Sequence, residues 1–307
     1  MALTFKPSLQ HLATVRLALT VYNDDIMHFL DQLDLRKDYK VVDPYNFNIK
    51  EERWVKNSIQ KARKKLCKCL PKSLLNTVLH ILQPIVEDIN FWARDHFDII
   101  EHIEKSHYKN IICWGSSGII DRRKTAEQLI KMENIDKRMR FYMACIYFRK
   151  NDVLNLCQSM TTDERKNMLH INSNTAVNYW IGRLRKYPNP SWTEGALKYL
   201  SIATSGLDPL RRIRLSSFFS KLKCTLKIPF FRILSQTRGH IDDLRLCYNL
   251  LNENERAVVL RIPSMKKDLL LCYLDWPLQS LFLDAIKQMK NYLNCYSFEY
   301  CMEYIVY

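Results

Sequence analysis

A chain of 307 residues, 47% of them apolar, has ample material for a buried core, which excludes wholesale disorder. Six glycines are too few for a sheet protein rich in tight turns, or for Gly-rich phosphate loops. A formal net charge of +15 predicts an anionic partner, whether an acidic protein, a nucleic acid or a lipid surface.

In residues 8–34, Leu12, Val15, Leu19 and Tyr22 recur at spacings of three and four, which predicts a helix. Asn23-Asp24-Asp25 is expected to interrupt it, with Ile26, Phe29, Leu30 and Leu33 forming a second short stripe. Residues 35–48 are polar, contain Asp43-Pro44 and read as a connection. Asn48 and Glu51 have the spacing of a loose capping box. Val55, Ile59, Ala62 and Leu66 mark the helix that follows, and Pro71 ends it. Leu74, Leu75, Val78, Leu79 and Leu82 form the cleanest stripe in the chain. Pro84 is expected to kink or break that helix, and Ile85, Val86 and Ile89 continue its register.

Residues 106–121 are the main non-helical candidate, and Gly115-Ser116-Ser117-Gly118 is turn-like. The cluster lacks the ending of a P-loop and the glycine spacing of a dinucleotide fold, so it reads as a connection. From residue 122 onward, helix punctuation is dense. Thr161 with Glu164 and Ser191 with Glu194 are capping boxes. Asp208-Pro209 places Pro at a first helical position. Pro277, after Asp275, lies near another helix start. The predicted class is all-α, an irregular α-solenoid-like array of stacked helical hairpins. Its expected organisation is an N-terminal helical region at 1–105, the connection at 106–121 and a C-terminal helical array at 122–307.

Residues 136–160 read as one helix, a short polar break and a second helix, with Met139, Tyr142, Cys145, Ile146 and Phe148 in the core. Ala18, Cys145 and Cys272 are equally spaced along the chain. Aligning them also aligns Leu19, Ile146 and Tyr273, and further on Phe29, Leu156 and Leu283. The echo suggests a repeated hairpin that covers its apolar face by stacking on neighbours.

Two basic clusters are the candidate sites, with anionic-partner residues Lys56, Lys61, Arg63, Lys64, Lys65, Arg211, Arg212, Arg214, Lys221 and Lys223. In the first, Val55, Ile59, Ala62 and Leu66 gather on one side of a helical wheel and the cations cover the rest. Lys61 to Lys65 also resembles a nuclear-import run, and the neighbouring Cys67 and Cys69 could accept reversible acylation. In the second, Leu215, Phe218, Phe219 and Leu222 point inward, while Ser216, Ser217 and Ser220 lie among cations that could hold phosphates.

The ten cysteines contain no C-x-x-C and no zinc-module spacing, and His96, His102 and His107 are spaced wrongly for one helix face. No cofactor or metal is expected. Asp24-Asp25 and Asp242-Asp243 are expected to cap helices. Tyr292, Tyr296, Tyr300, Tyr304 and Tyr307 mark a closing helix face that needs cover. The first twenty residues do not have the pattern of a secretory leader, and no run reaches a membrane span. A cytoplasmic address is expected, with the nucleus as the alternative. The leading functional expectation is a non-enzymatic interaction scaffold whose basic surface binds an acidic protein. Its alternatives are a binder of RNA or DNA backbone and an enzyme with a dispersed site.

Overall fold

The computed structural model describes residues 3, 5–32, 49–96, 111–167, 175–185, 216–220, 222–236 and 241–306. Among these the chain is helical and forms no strand, apart from a single antiparallel bridge between Trp114 and Ile120. The chain divides into two compact units, Lys6–Met139 and Arg140–Tyr307 with Met1–Phe5.

In the first unit, α1 (Leu9–Gln32), α2 (Ile49–Leu66) and α3 (Lys72–Asp95) pack on one another. α1 runs through Asn23-Asp24-Asp25 without the expected interruption. Polar residues mid-helix cost only a fraction of a kcal/mol each, about 0.7 at most, and a long packed helix tolerates them. These aspartates therefore do not cap a helix start. α3 is the centre of the unit, with Val78, Leu82, Ile85, Val86, Ile89, Trp92 and Ala93 fully buried. Pro84 does not break it. The residue one turn before Pro84, His80, is exposed, so the carbonyl that the proline leaves without a donor lies on the solvent side.

The glycine cluster is a tight turn. Gly115 N–H donates to Ile119 O at 2.8 Å and Gly118 N–H to Gly115 O at 3.1 Å. Gly118 has φ 89°, a conformation that side chains disfavour. Two helices pin this turn. Asp88 of α3 accepts from Ile120 N–H at 2.7 Å and from Arg122 Nη1 at 2.8 Å, and Nε2 of His11 in α1 donates to Ser117 O at 2.9 Å. α4 (Arg122–Lys131) then starts on Asp121, whose carboxylate accepts from Lys124 N–H. α5 (Lys137–Ile146) contains the division between the two units.

α6 (Lys150–Ser159), α7 (Thr162–Asn167) and α8 (Thr175–Arg185) follow. Every residue from Phe141 to Phe148 is buried, and so is Met139, so all five expected core residues are buried. α5 ends with Phe148 at φ 52°. Arg149 N–H reaches Ala144 O at 2.9 Å and Phe148 N–H reaches Cys145 O at 3.2 Å. This is a Schellman termination, with Phe where Gly is usual. The exception is held in place by the Phe148 ring, which sits 5.4 Å from Tyr179 and 5.2 Å from Trp180 of α8. The polar break expected here is thus a turn of few residues, and α6 restarts immediately.

The remaining described helices are α9 (Ser216–Phe219), α10 (Cys224–Gln236), α11 (Ile241–Asn249), α12 (Glu253–Val259), α13 (Pro263–Leu271), α14 (Phe282–Met289) and α15 (Cys295–Val306), with a 3-10 turn at Leu278–Leu281. α13 touches α10, α11, α14 and α15. Its Met265, Leu269, Leu270 and Leu271 are all buried, so it presents apolar surface on several sides.

Candidate anion-binding surface

α2 is built as its sequence predicts. Ala62 and Leu66 are buried and Ile59 is half-buried, and α2 packs with α1 and α3. Lys56, Lys61, Arg63, Lys64 and Lys65 are exposed. Lys68 and Lys72 extend the exposed cations past the helix end. No acid occurs in the sequence between Glu52 and Glu87. Among the described residues, Lys61, Arg63, Lys64, Lys68 and Lys72 have no ion-pair partner. Arg63, Lys64 and Lys65 occupy the last turn of α2, where cations also favour the negative end of the helix dipole. The helix closes when Cys67 N–H donates to Arg63 O, and Cys69 N–H and Leu70 N–H both donate to Leu66 O. Pro71 then permits the turn into α3. Cys67 and Cys69 are both exposed.

The second cluster is only partly visible. Arg211, Arg212, Arg214 and Lys221 lie outside the described residues. Lys223 is exposed. Phe219 and Leu222 are buried as expected. The neighbouring polar groups, however, are committed within the fold. Ser216 donates both its backbone N–H and its hydroxyl to Asp243 Oδ1. A serine expected among cations is therefore held by a carboxylate, and its hydroxyl is not offered to a phosphate. Lys227 Nζ lies 3.4 Å from Glu255 Oε1 and 6.0 Å from the centre of the Phe219 ring, in a largely buried setting. Asp243 thus uses its carboxylate to tie the start of α9 to α11.

The other candidates resolve individually. His96 is buried, and its Nδ1 is 2.7 Å from Trp92 O one turn earlier; His102 and His107 lie outside the described residues. Among the described residues no three His, Cys, Asp or Glu groups are placed to hold a metal ion. Asn48, the Ser191–Glu194 box and Asp208-Pro209 also fall outside the described residues. The Thr161–Glu164 capping box is present in both directions, at 3.1 and 2.7 Å. All ten cysteines are free thiols. Cys145, Cys247 and Cys272 are buried as small apolar groups. Burial, and secondly its neighbour Cys157, pushes the Cys145 thiol well up. Burial likewise drives Tyr248 up to about 12, with Arg256 partly opposing, so it remains a phenol. Of the C-terminal tyrosines, Tyr300 lies beneath Lys267, with Nζ 2.9 Å from the ring centre, whereas Tyr296 is 78% exposed.

Three tertiary pairings escaped the sequence: Asp88 with Ile120 and Arg122, Ser216 with Asp243, and Lys227 with Glu255. Each joins residues far apart in the chain, and no local pattern marks them. Among the described residues no helix is long and apolar enough to cross a membrane. No protein-family model, curated protein or solved structure matches the chain.

Proposed function

We propose that the chain is a non-enzymatic helical scaffold whose α2 surface receives an acidic protein partner. The observation supporting this most directly is the sidedness of α2. Its Ala62 and Leu66 are buried where α2 packs with α1 and α3, and Lys61, Arg63, Lys64 and Lys68 are exposed with no carboxylate in ion-pair reach among the described residues. Cations left unneutralised on a rigid helix form a field that steers and holds an anionic surface. The helical-array reading is supported by a run of next-but-one contacts, α9 with α11, α11 with α13 and α13 with α15. The working address is the cytoplasm, with Lys61–Lys65 as the run that would direct the chain to the nucleus instead.

A pull-down with and without nuclease tests the assignment, using the native chain and a K61E/K64E/K68E variant. Discrete protein partners that survive nuclease and are lost with the variant support it. Partners that vanish on nuclease treatment, with retention collapsing between low and moderate salt, transfer the surface to nucleic acid.

A further inference from the structure

The end of α11 carries polar groups that the α2 reading does not use. Arg245, Tyr248 and Asn249 stand at spacings of three and four, so they share one side of that helix. Arg256 of α12 reaches back to them. Its Nε donates to Tyr248 O at 3.4 Å and its Nη2 to Asn249 O at 3.0 Å, and its guanidinium carbon lies 5.5 Å from the centre of the Tyr248 ring. Tyr273 joins them from the turn after α13, the helix packed on α11. Its hydroxyl feels the charges of Arg245 and Arg256, and that of Tyr248 feels Arg256, Tyr273 and Tyr292. Among the described residues no carboxylate acts on either phenol.

Four of these groups lack a hydrogen-bond partner. Arg245 Nε and Asn249 Oδ1 are closed to solvent and bond to nothing. Tyr248 is 8% exposed and Tyr273 2% exposed, yet neither hydroxyl has a partner among the described residues. A buried polar group left unpaired costs folding free energy, and several around one spot call for a common cause. Three of the four are donors, namely the Arg245 N–H and the two phenols, and the fourth is the Asn249 acceptor. Arg245 and Arg256 also have no ion-pair partner among the described residues. Water alone satisfies the hydrogen bonds and leaves both guanidinium charges unneutralised. The matching ligand is an anion with several acceptor oxygens and one O–H to give. A carboxylate or sulfate has no proton for Asn249. We propose that Arg245, Tyr248, Asn249 and Tyr273, beside Arg256, form a binding site for hydrogen phosphate. Arg245 and the two phenols donate to its oxygens, and its remaining hydroxyl donates to Asn249 Oδ1. The site belongs to the second compact unit and does not depend on the α2 assignment.

The test titrates the full chain calorimetrically with inorganic phosphate and with sulfate at matched ionic strength. At about pH 8 the two ions carry the same charge, but phosphate keeps one proton, whereas sulfate and a phosphate monoester with a second pKa of about 6 keep none. Phosphate binds about tenfold tighter than sulfate, the worth of one buried acceptor paired or left unpaired. Methyl phosphate at the same pH binds no better than sulfate. Asn249→Leu removes the preference by lowering phosphate to the level of sulfate. Tyr273→Phe and Tyr248→Phe keep the rings and weaken both ions severalfold, and Arg245→Met abolishes binding of both. Where Arg245→Met does not fold, as judged by circular dichroism, the two phenol variants carry the test. The K61E/K64E/K68E variant binds phosphate as the native chain does. No saturable phosphate binding, equal affinity for phosphate and sulfate, or binding that survives Tyr273→Phe and Arg245→Met but is lost with K61E/K64E/K68E would each overturn the proposal. Methyl phosphate binding as tightly as phosphate at this pH likewise rejects the hydroxyl on Asn249.

Discussion

Phe148 shows how one residue can be held against its own backbone preference. A left-handed φ costs a non-glycine residue about 1–2 kcal/mol, while loss of a buried Phe ring costs about 3–5 kcal/mol. The stacking on Tyr179 and Trp180 decides the balance. Phe148→Ala keeps the strain and loses the ring, and is expected to destabilise by about 3–5 kcal/mol. Phe148→Gly loses the ring but relieves the strain, so its cost is about 1 kcal/mol smaller. Urea unfolding of the two variants side by side checks the order; equal midpoints would remove the strain argument. Asp268 presents a different residue-scale case. Burial raises its carboxyl, and Lys267 only partly offsets this. A carboxyl whose folded value lies above its unfolded value holds its proton more tightly when folded. Its ionisation therefore subtracts stability as the pH climbs from below the unfolded value. Asp268→Asn is expected to raise the thermal midpoint at about pH 7 and to leave it unchanged at about pH 3, below the ordinary aspartate range. A gain of the same size at both pH values contradicts this assignment.

At the scale of elements, the capping boxes separate a local device from a tertiary one. Glu164 and Glu255 each occupy the third position of a box, returning a bond to the cap backbone at 2.7 and 2.9 Å. Glu164 belongs to an exposed box, whereas Glu255 also pairs with Lys227 under cover of the fold. Glu164→Ala is expected to cost about 1 kcal/mol, the worth of a cap. Glu255→Ala also strands a mostly buried lysine and is expected to cost about 3–5 kcal/mol. Adding Lys227→Met should recover part of that loss, measured as a double-mutant cycle. The Thr161–Glu164 box is visible in four residues of sequence. The Lys227 contact is not, because Lys227 alone reads as one more cation in a basic run.

For the molecule as a whole, α13 organises the C-terminal helices through its contacts with α10, α11, α14 and α15. Leu269→Ala at its fully buried centre is expected to cost about 2–5 kcal/mol. Leu283→Ala on α14, 67% exposed, is expected to change stability by less than about 0.5 kcal/mol. Hydrogen exchange that loosens only α13 in the Leu269 variant, leaving its four neighbours protected, would deny α13 this role. The sequence marked Cys272 and Tyr273 at its end only as an echo of Cys145 and Ile146, and the reach of α13 to four helices was not legible. Periodicity reports how wide an apolar face is and does not name the helices that cover it.

The sequence by itself determined the helical class, the sides of α2 and α3, the burial of Met139, Tyr142, Cys145, Ile146 and Phe148, and the capping box at Thr161. All of these depend on residues within one or two turns, where spacing fixes which side chains share a face. It misjudged the middle of α1, because packing along a long helix outweighs the preference of a few polar residues. Only the tertiary structure decided that Ser216 belongs to Asp243, that Asp88 clamps the glycine turn, and that Lys227 is spent on Glu255. A charged or hydroxyl side chain looks equally available in every sequence context until the fold brings its partner within hydrogen-bonding distance. The exposed cations of α2 remain the candidate surface because, among the described residues, no acid is brought within ion-pair reach of Lys61, Arg63, Lys64 or Lys68.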